Sequence, residues 1–447
     1  MNQRKILAAL LILCTVVFIS CKSALERKTE KRELSLRKSA MLIQGEIEKT
    51  LKAQEDSVKA FVKSLPVEQK ISQLFLVNIA GNEKYHPVEY SGALKGQGGK
   101  GNFLVPGGCL YFSYNIAESS EKMIQFNDSV RNFCINHNIV PPFLAVDQEG
   151  GFVNRLRSLT GPLPSNKRVA ECLTVENACR LYYLQGIQMK ALGFHLNLAP
   201  VVEVLNSSNS SFLGDRSFGQ LEQVLSFGTA CINGFENSGI GTVLKHFPGN
   251  SNTDPHTGLP EILWDEETLQ KNVLIPFERL SSLNPSGILM SHARLALSDS
   301  KTPACLSEYW VSQVLRNKME FDGLIFSDDI FMDALQKNGF PPEKAAIMAI
   351  NAGIDCIMLS EKRFAPVAKI LLEEGEKSVE FAEKLNSSVE KIIKWKISRG
   401  ILKFYLNDDS SWSVIPAEPE PLEARIQDFL PALSENIDLY RKYFMPE

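Results

Sequence analysis

The chain has 447 residues, of which 44% are hydrophobic and 22% charged, and its formal net charge is -4. This composition is ordinary for a globular protein and lacks the basic excess that nucleic-acid binding requires, so we expect no nucleic-acid partner. The nine cysteines and six histidines contain no C-x-x-C motif and no His/Cys cluster. We therefore predict neither a metal site nor a cofactor.

The beginning of the chain resembles a bacterial lipoprotein signal. Arg4 and Lys5 precede an apolar run over residues 6–19, which is too short to span a bilayer comfortably and is soon followed by Cys21. A signal of this kind is cleaved before its cysteine, and lipid is attached to the thiol. We predict a signal peptide over residues 1–20 and lipidation of Cys21. An uncleaved signal anchor or an ordinary secretory peptide is the alternative.

Residues 21–56 are rich in charge of both signs and carry periodic apolar residues such as Leu42, Ile43 and Ile47. This pattern predicts a charged helical spacer that carries the following domain away from a membrane. The residues directly after Cys21 are basic rather than acidic, which favours a lipid anchor facing the periplasm over one on the cell exterior. We expect the protein to be a monomer.

Eight short apolar runs after Pro66 predict β-strands, most of them separated by stretches compatible with helices. The runs are Leu74–Ile79, Gly108–Phe112, Pro142–Val146, Phe194–Leu198, Thr242–Leu244, Gly287–Met290, Gly323–Phe326 and Cys356–Leu359. Apolar strands that alternate with helices indicate a parallel sheet buried on both faces. The fold class is therefore α/β, and the eight runs predict a (β/α)8 TIM-type barrel over residues 57–405, with a short C-terminal appendage over residues 406–447. An open doubly wound sheet is the alternative.

Polar residues follow several of these apolar runs, and in a (β/α)8 barrel catalysis takes place at the C-terminal ends of the strands. The residues in question are Asp147, Glu203, Lys245, His246, His292, Asp328 and Ser360. They point to a site that combines carboxylates with basic groups.

Four ordered motifs contain most of these residues. They are VDQEGG at 146–151, GDRSF at 214–218, KHFPG at 245–249 followed by Asp254-x-His256, and FSDD at 326–329. From about Leu65 to Leu402 the chain resembles the β-N-acetylhexosaminidase branch of glycoside hydrolase family 3. The resemblance implies a retaining exo-β-N-acetylglucosaminidase, with fragments of peptidoglycan as the expected source of its substrate.

The resemblance also assigns the catalytic roles. Asp328 matches the nucleophile that forms a covalent glycosyl enzyme, and His256 matches the acid/base, oriented by Asp254. A histidine suits this role because it titrates near neutral pH and its neutral form adds no second negative charge beside the nucleophile. Asp329 is expected to accept a hydrogen bond from a backbone N–H or to bind a cation, with capping of the following helix as the alternative.

Substrate contacts are implied in the same way. Asp147 is expected to bind sugar hydroxyls, and Arg216, Lys245 and His246 to hold hydroxyls and the acetamido group, with structural ion pairing as the alternative for Lys245 and Arg216. The substrate-binding set is completed by Arg155, which we expect to pair with a nearby acid. His292 is expected either to pack or to contact the substrate.

The chain departs from the family pattern after KHFPG, where Asn250-Ser251 replaces the usual His-Gly. Asp254 and His256 are retained, so the change bears on the conformation of the loop and on preference for the aglycone. Two other functions stay open from the sequence. One is a β-glucosidase or glycoside phosphorylase of the same family, and the other is a lipoprotein that binds glycans without turnover.

Overall fold

The structure, a computed structural model, describes residues 3–87, 89–90, 103–254, 258–295 and 301–445. The chain divides into two compact units. One contains the residues up to Lys59 together with Leu406–Ser413, and the other contains Ala60–Tyr405 together with the residues from Val414 onward.

The larger unit is built on an eight-stranded sheet. In chain order its strands are β1 (Phe75–Asn78), β2 (Gly108–Tyr111), β3 (Phe143–Val146), β4 (Leu196–Asn197), β5 (Gly241–Phe247), β6 (Gly287–Met290), β7 (Leu324–Phe326) and β8 (Ile357–Leu359). All neighbouring pairs are parallel, and each strand lies beside the next one in the chain.

The sheet closes on itself. Strand β1 pairs with β8 in the register Phe75↔Ile357, and a bridge between Phe326 and Cys356 joins β7 to β8. The prediction of a (β/α)8 barrel is confirmed, and the open doubly wound sheet is excluded. Every residue of β1, β2, β3 and β5 is buried, as expected for parallel strands covered on both faces.

Helices connect and surround the strands. The α-helices are Gln3–Ser64, Val67–Ser72, Ser120–Asn136, Arg157–Thr160, Asn166–Cys172, Val175–Leu192, Ser210–Leu213, Leu221–Ser238, Glu266–Leu269, Ile275–Ser281, Asp333–Lys337, Pro342–Ala352, Ala365–Lys377, Val379–Ser398 and Leu422–Phe444. Shorter or wider turns form the 3-10 helices Ser113–Asn115, Gly214–Arg216 and Ala304–Leu306 and the π-helices Gln270–Leu274 and Tyr309–Lys318.

Four two-stranded sheets complete the secondary structure. Their strands are Glu89–Tyr90 with Phe103–Leu104, Gln148–Gly150 with Val153–Asn154, Glu261–Ile262 with Arg294–Leu295, and Leu402–Leu406 with Trp412–Pro416. The hairpin from Gln148 to Asn154 directly follows β3 and therefore begins at the C-terminal end of the barrel.

The first helix has 62 residues and includes the segment that the sequence predicts to be a charged spacer. Within it, apolar side chains from Leu36 to Leu51 are exposed. No helix in the described part of the chain is long and apolar enough to cross a membrane.

Candidate active site

The C-terminal ends of the parallel strands bring most of the predicted site residues to one rim of the barrel. Asp147 follows β3, Lys245 and His246 lie near the end of β5, and Asp328 follows β7. Thr242–Leu244 was predicted as the strand here, but the structure extends β5 through Lys245 and His246 to Phe247. The strand tolerates these two polar residues because each has a buried carboxylate partner.

A chain of ion pairs runs along this rim. Nζ of Lys245 lies 2.7 Å from Oδ1 of Asp147 and 2.6 Å from Oε1 of Glu149. The other side of Glu149 is held by Arg216, whose Nε and Nη2 donate to its two carboxylate oxygens at 2.8 and 3.0 Å. Four side chains from three separate parts of the sequence are thus linked directly.

Glu149 stands at the centre of this chain. Burial opposes its ionisation, but Lys245 and Arg216 outweigh burial and hold the pKa of Glu149 well below its usual range. Burial likewise opposes the charge of Lys245, and Asp147 and Glu149 outweigh it, so the pKa of Lys245 is raised. Glu149 and Lys245 therefore both stay charged near neutral pH, and the sequence did not indicate this role for Glu149.

The exposure of the four members differs in a way that shows where a ligand can reach them. The side chains of Glu149 and Lys245 are 2% and 4% exposed, whereas those of Asp147 and Arg216 are 17% and 26% exposed. Asp147 therefore offers a carboxylate, and Arg216 part of its guanidinium, to a ligand on the rim. Both groups suit the hydroxyls of a sugar.

A second buried carboxylate, Glu203, holds the other end of the KHFPG segment. Its Oε1 accepts a hydrogen bond from Nδ1 of His246 at 2.8 Å, and its Oε2 accepts one from the backbone N–H of Asn250 at 2.7 Å. The sequence placed Glu203 at a strand end but did not indicate these partners.

Asp328 and Asp329 occupy different environments. The backbone N–H of Asp329 donates to Oδ1 of Asp328 at 2.8 Å, and within the described part of the chain Oδ2 of Asp328 accepts no hydrogen bond. Oδ1 of Asp329 accepts from the backbone N–H groups of Phe331 and Ser360 at 3.0 and 3.1 Å. The prediction that Asp329 accepts backbone hydrogen bonds is confirmed.

Neither acid caps the next helix, because the residue before Asp333–Lys337 is Met332 and makes no side-chain cap. Burial raises the pKa of Asp329, an effect that the hydrogen bonds from residues 331 and 360 oppose. Asp329 therefore acts as a structural acceptor that fixes the turn after β7.

His292 contacts the same turn after β7 from inside the protein. It is fully buried, and its Nε2 lies 3.0 Å from the carbonyl oxygen of Asp329, which can only accept. Its Nδ1 lies 3.2 Å from Sγ of Cys305. Of the two roles expected for His292, the structure shows packing and hydrogen bonding inside the protein.

The Asp254-x-His256 pair is only partly described. The carbonyl of Asp254 accepts a hydrogen bond from the N–H of Gly258 at 3.0 Å, and Asp254 is exposed. His256 lies outside the described residues. The roles of these two residues stay predictions from the resemblance.

Arg155 follows the hairpin at the end of β3. Its Nε is buried without a hydrogen-bond partner in the described part of the chain, and no ion pair to it is found there. The expected pairing with a nearby acid is not seen among the described residues and stays a prediction. A role for Arg155 in substrate binding stays a prediction.

Among the residues that the structure describes, no group of three or more His, Cys, Asp or Glu side chains is arranged to hold a metal ion. The rim instead combines an available carboxylate at Asp328 with fixed cations and a partly exposed carboxylate. Such a set can bind a polyhydroxylated ligand and attack it.

The comparisons with known proteins agree with this geometry. The model of the glycosyl hydrolase family 3 N-terminal domain matches residues 67–395. A beta-hexosaminidase of Methylococcus capsulatus is 34% identical over 260 residues, which cover 57% of this chain and 75% of that protein. Beta-hexosaminidase A of Pseudoalteromonas piscicida is 28% identical over 318 residues, and the match covers 65% of this chain and only 53% of that protein.

A solved structure is similar over most of the chain. The family 3 β-N-acetylglucosaminidase from Paenibacillus sp. str. FPU-7 aligns with a TM-score of 0.66 and 25% sequence identity, covering 83% of this chain and 69% of that one.

Proposed function

Because the chain belongs to glycosyl hydrolase family 3 and is thereby a glycoside hydrolase, we propose that it is a retaining exo-β-N-acetylglucosaminidase that removes terminal β-linked N-acetylglucosamine. The observation that carries the proposal is the buried Asp328 carboxylate, held at Oδ1 with Oδ2 available, at the same end of the barrel as the Asp147–Lys245 pair. The relatives named beta-hexosaminidase support the choice of sugar.

In the first step, a carboxylate oxygen of Asp328 attacks the anomeric carbon and forms a glycosyl ester. The bond from that carbon to the glycosidic oxygen breaks, and the leaving oxygen takes a proton from the imidazolium of His256. Asp254 orients that imidazole and stabilises its cationic form, as the acid of a catalytic triad does.

In the second step, the now neutral His256 takes a proton from water as the water oxygen attacks the anomeric carbon. The ester bond breaks and the Asp328 carboxylate is regenerated. Two displacements at one carbon give overall retention of configuration.

The ionic chain on the rim holds the sugar during both steps. Lys245 is fixed by two carboxylates, so its position does not change with that of the substrate. Asp147 is exposed enough to accept hydrogen bonds from sugar hydroxyls. Arg216 is likewise fixed by Glu149, with part of its side chain open to the rim. Hydrogen bonds to charged groups contribute about 1.5–3 kcal/mol each, and a rigid set discriminates well between hydroxyl patterns.

The test is a panel of aryl β-glycosides assayed with and without inorganic phosphate. We expect kcat/KM for the N-acetylglucosaminide to exceed that for the glucoside by at least about 100-fold, since a site built for an acetamido group leaves polar groups unpaired with glucose. Similar values for both sugars would reduce the assignment to a family 3 β-glycosidase. Product that appears as the sugar 1-phosphate would indicate a phosphorylase, and the absence of any turnover would favour a glycan-binding protein.

The natural substrate and the location form a further part of the proposal. The lipoprotein-like signal before Cys21 supports a lipid anchor in a bacterial membrane facing the periplasm, where fragments of peptidoglycan supply terminal N-acetylglucosamine. Cell fractionation tests the anchor. The wild-type protein should be recovered with membranes, and Cys21→Ser should give soluble or unprocessed protein; identical fractionation of the two contradicts lipidation.

A further inference from the structure

The Glu203 carboxylate is almost completely buried, at 4% exposure, and among the described residues its hydrogen bonds come from two residues of one short segment. His246 donates its backbone N–H to Oε1 at 3.2 Å, and its Nδ1 lies 2.8 Å from the same oxygen. Asn250 donates its backbone N–H to Oε2 at 2.7 Å and its side-chain amide to Oε1 at 3.0 Å. Both oxygens of one carboxylate thus accept hydrogen bonds from this segment.

These four hydrogen bonds fix both ends of a tight turn. His246 lies near the end of β5, whereas Asn250 begins the loop that leads to Asp254. Between them, Gly249 has a φ of +131°, a conformation that favours glycine. The same carboxylate therefore determines where the strand ends and in which direction the Asp254 loop starts.

Glu203 also determines which nitrogen of His246 can face a ligand. A carboxylate only accepts hydrogen bonds, so Nδ1 of His246 carries the proton that points at Glu203. Nε2 is then the nitrogen left for a substrate.

We propose that Glu203 is a positioning residue. It holds the sugar-binding His246 and, through Asn250, fixes the position of the acid/base loop relative to His246. The proposal rests on the proposed glycosidase function, in which His246 binds the sugar and the loop delivers the proton. One carboxylate then links substrate recognition to protonation of the leaving group.

Asn250 is the position where this chain departs from the usual His-Gly of the family. An asparagine amide donates one hydrogen bond to Glu203 and remains neutral at every pH, so Glu203 faces a single titratable ring, that of His246. Asn250 can therefore hold the loop by a hydrogen bond without adding a second charged group beside Glu203.

The test compares Glu203→Gln with Glu236→Gln. Glu236 is a matched control because it is a poorly exposed carboxylate whose Oε1 accepts four hydrogen bonds, two from Thr242 and two from Ser286, at the opposite ends of the strands. Each variant is assayed with two aryl N-acetylglucosaminides, one with a good and one with a poor leaving group, and its Tm is measured.

We expect Glu203→Gln to lower kcat/KM for the poor leaving group on the order of 100-fold, because a misplaced acid delivers its proton badly. The loss for the good leaving group, which needs little protonation, should be at least about tenfold smaller. Asn250→Ala, which keeps the backbone N–H of residue 250, should shift the same ratio in the same direction to a smaller extent. Glu236→Gln should lower Tm and leave the ratio of the two substrates unchanged.

A loss of equal size for both leaving groups in Glu203→Gln and Asn250→Ala would overturn the positioning role. If Glu203→Gln fails to fold, Asn250→Ala decides the question alone. Wild-type protein that cleaves neither N-acetylglucosaminide would overturn the proposed function itself, whereas active wild-type protein with an unchanged ratio in both variants overturns only the role of Glu203.

Discussion

The two ends of the barrel both carry buried charges, but they satisfy them in different ways. At the N-terminal ends of the strands, carboxylates accept hydrogen bonds from backbone amides of the strands themselves. At the C-terminal ends, the chain from Asp147 to Arg216 is held by contacts between side chains. The difference separates charges that hold the fold together from charges that are positioned for a ligand.

Glu236 and Asp355 illustrate the N-terminal end. Glu236 accepts a hydrogen bond from the backbone N–H of Thr242, the second residue of β5, and another from that of Ser286, the residue before β6. Asp355 accepts from the backbone N–H of Ile325 in β7 and pairs with Arg316. Each carboxylate therefore fixes the position of a strand, which is a structural role.

Lys245 and Glu149 illustrate the C-terminal end. Their charges are as deeply buried as that of Asp355, but they interact with other charged side chains rather than with strand amides. A change in these ion pairs leaves the hydrogen bonds between the strands in place. The ion pairs can therefore be arranged for a substrate without loss of the barrel. Burial alone therefore does not tell the role of Lys245 and Glu149 from that of Asp355, and their partners must be compared as well.

The largest effect is expected from Asp328→Asn. An amide cannot form the glycosyl ester, so kcat/KM for an aryl N-acetylglucosaminide should fall at least about 1000-fold, while Tm changes little. Asp329→Asn is the matched control, because an asparagine Oδ1 still accepts from residues 331 and 360. Its loss should be far smaller, and more than a few per cent of wild-type activity in Asp328→Asn would remove Asp328 from the nucleophile role.

A pair of cation substitutions tests the comparison directly. Lys245→Met removes the cation between Asp147 and Glu149 at the site end, and kcat/KM should fall about 100-fold from lost charge-assisted hydrogen bonds. Arg316→Met removes a cation that pairs with Asp355 and also donates to the carbonyls of Phe321 and Gly323 at 2.7 and 2.6 Å. It should lower the free energy of unfolding by about 3 kcal/mol, with kcat per folded molecule unchanged.

Urea unfolding and steady-state kinetics on the same samples measure both quantities. If Arg316→Met lowers kcat of the folded protein as much as Lys245→Met does, the two ends of the barrel are not functionally distinct.

Much of the fold could be predicted from the sequence because its signals are local. The eight apolar runs correspond to the eight barrel strands. Where strand bounds were wrong, as at β5, a charged residue had been taken as the end of a strand. Its burial becomes possible through Asp147 and Glu149, which lie far from Lys245 in the sequence.

The site was predicted less completely for the same reason. The motifs pointed to residues on the rim of the barrel, but they did not show that Glu149 joins Arg216 to Lys245 or that Glu203 holds His246. These partners meet only when the strands close into a barrel, and no spacing rule connects them.

The smallest effect concerns Lys396, a fully buried lysine near the N-terminal ends of the strands. Its Nζ donates to Oε1 of Gln73 at 2.6 Å and to the carbonyl of Pro141 at 2.7 Å, and no carboxylate pairs with it in the described part of the chain. Burial lowers the pKa of Lys396 to about 7, an effect that the nearby thiols Cys134 and Cys109 oppose.

Between pH 7 and 8 the unfolded chain keeps this proton while the folded chain releases it, so the contribution of Lys396 to stability rises with pH and is lost as pH falls. The free energy of unfolding of the wild-type protein should therefore increase, relative to Lys396→Met, by about 1 kcal/mol over this interval. The buried thiols act in the opposite direction because they ionise more readily in the unfolded chain, but they are present in both proteins and cancel in the difference. A difference that is flat with pH would mean that Lys396 keeps its proton in the fold, and that the N-terminal end of the barrel tolerates an uncompensated cation.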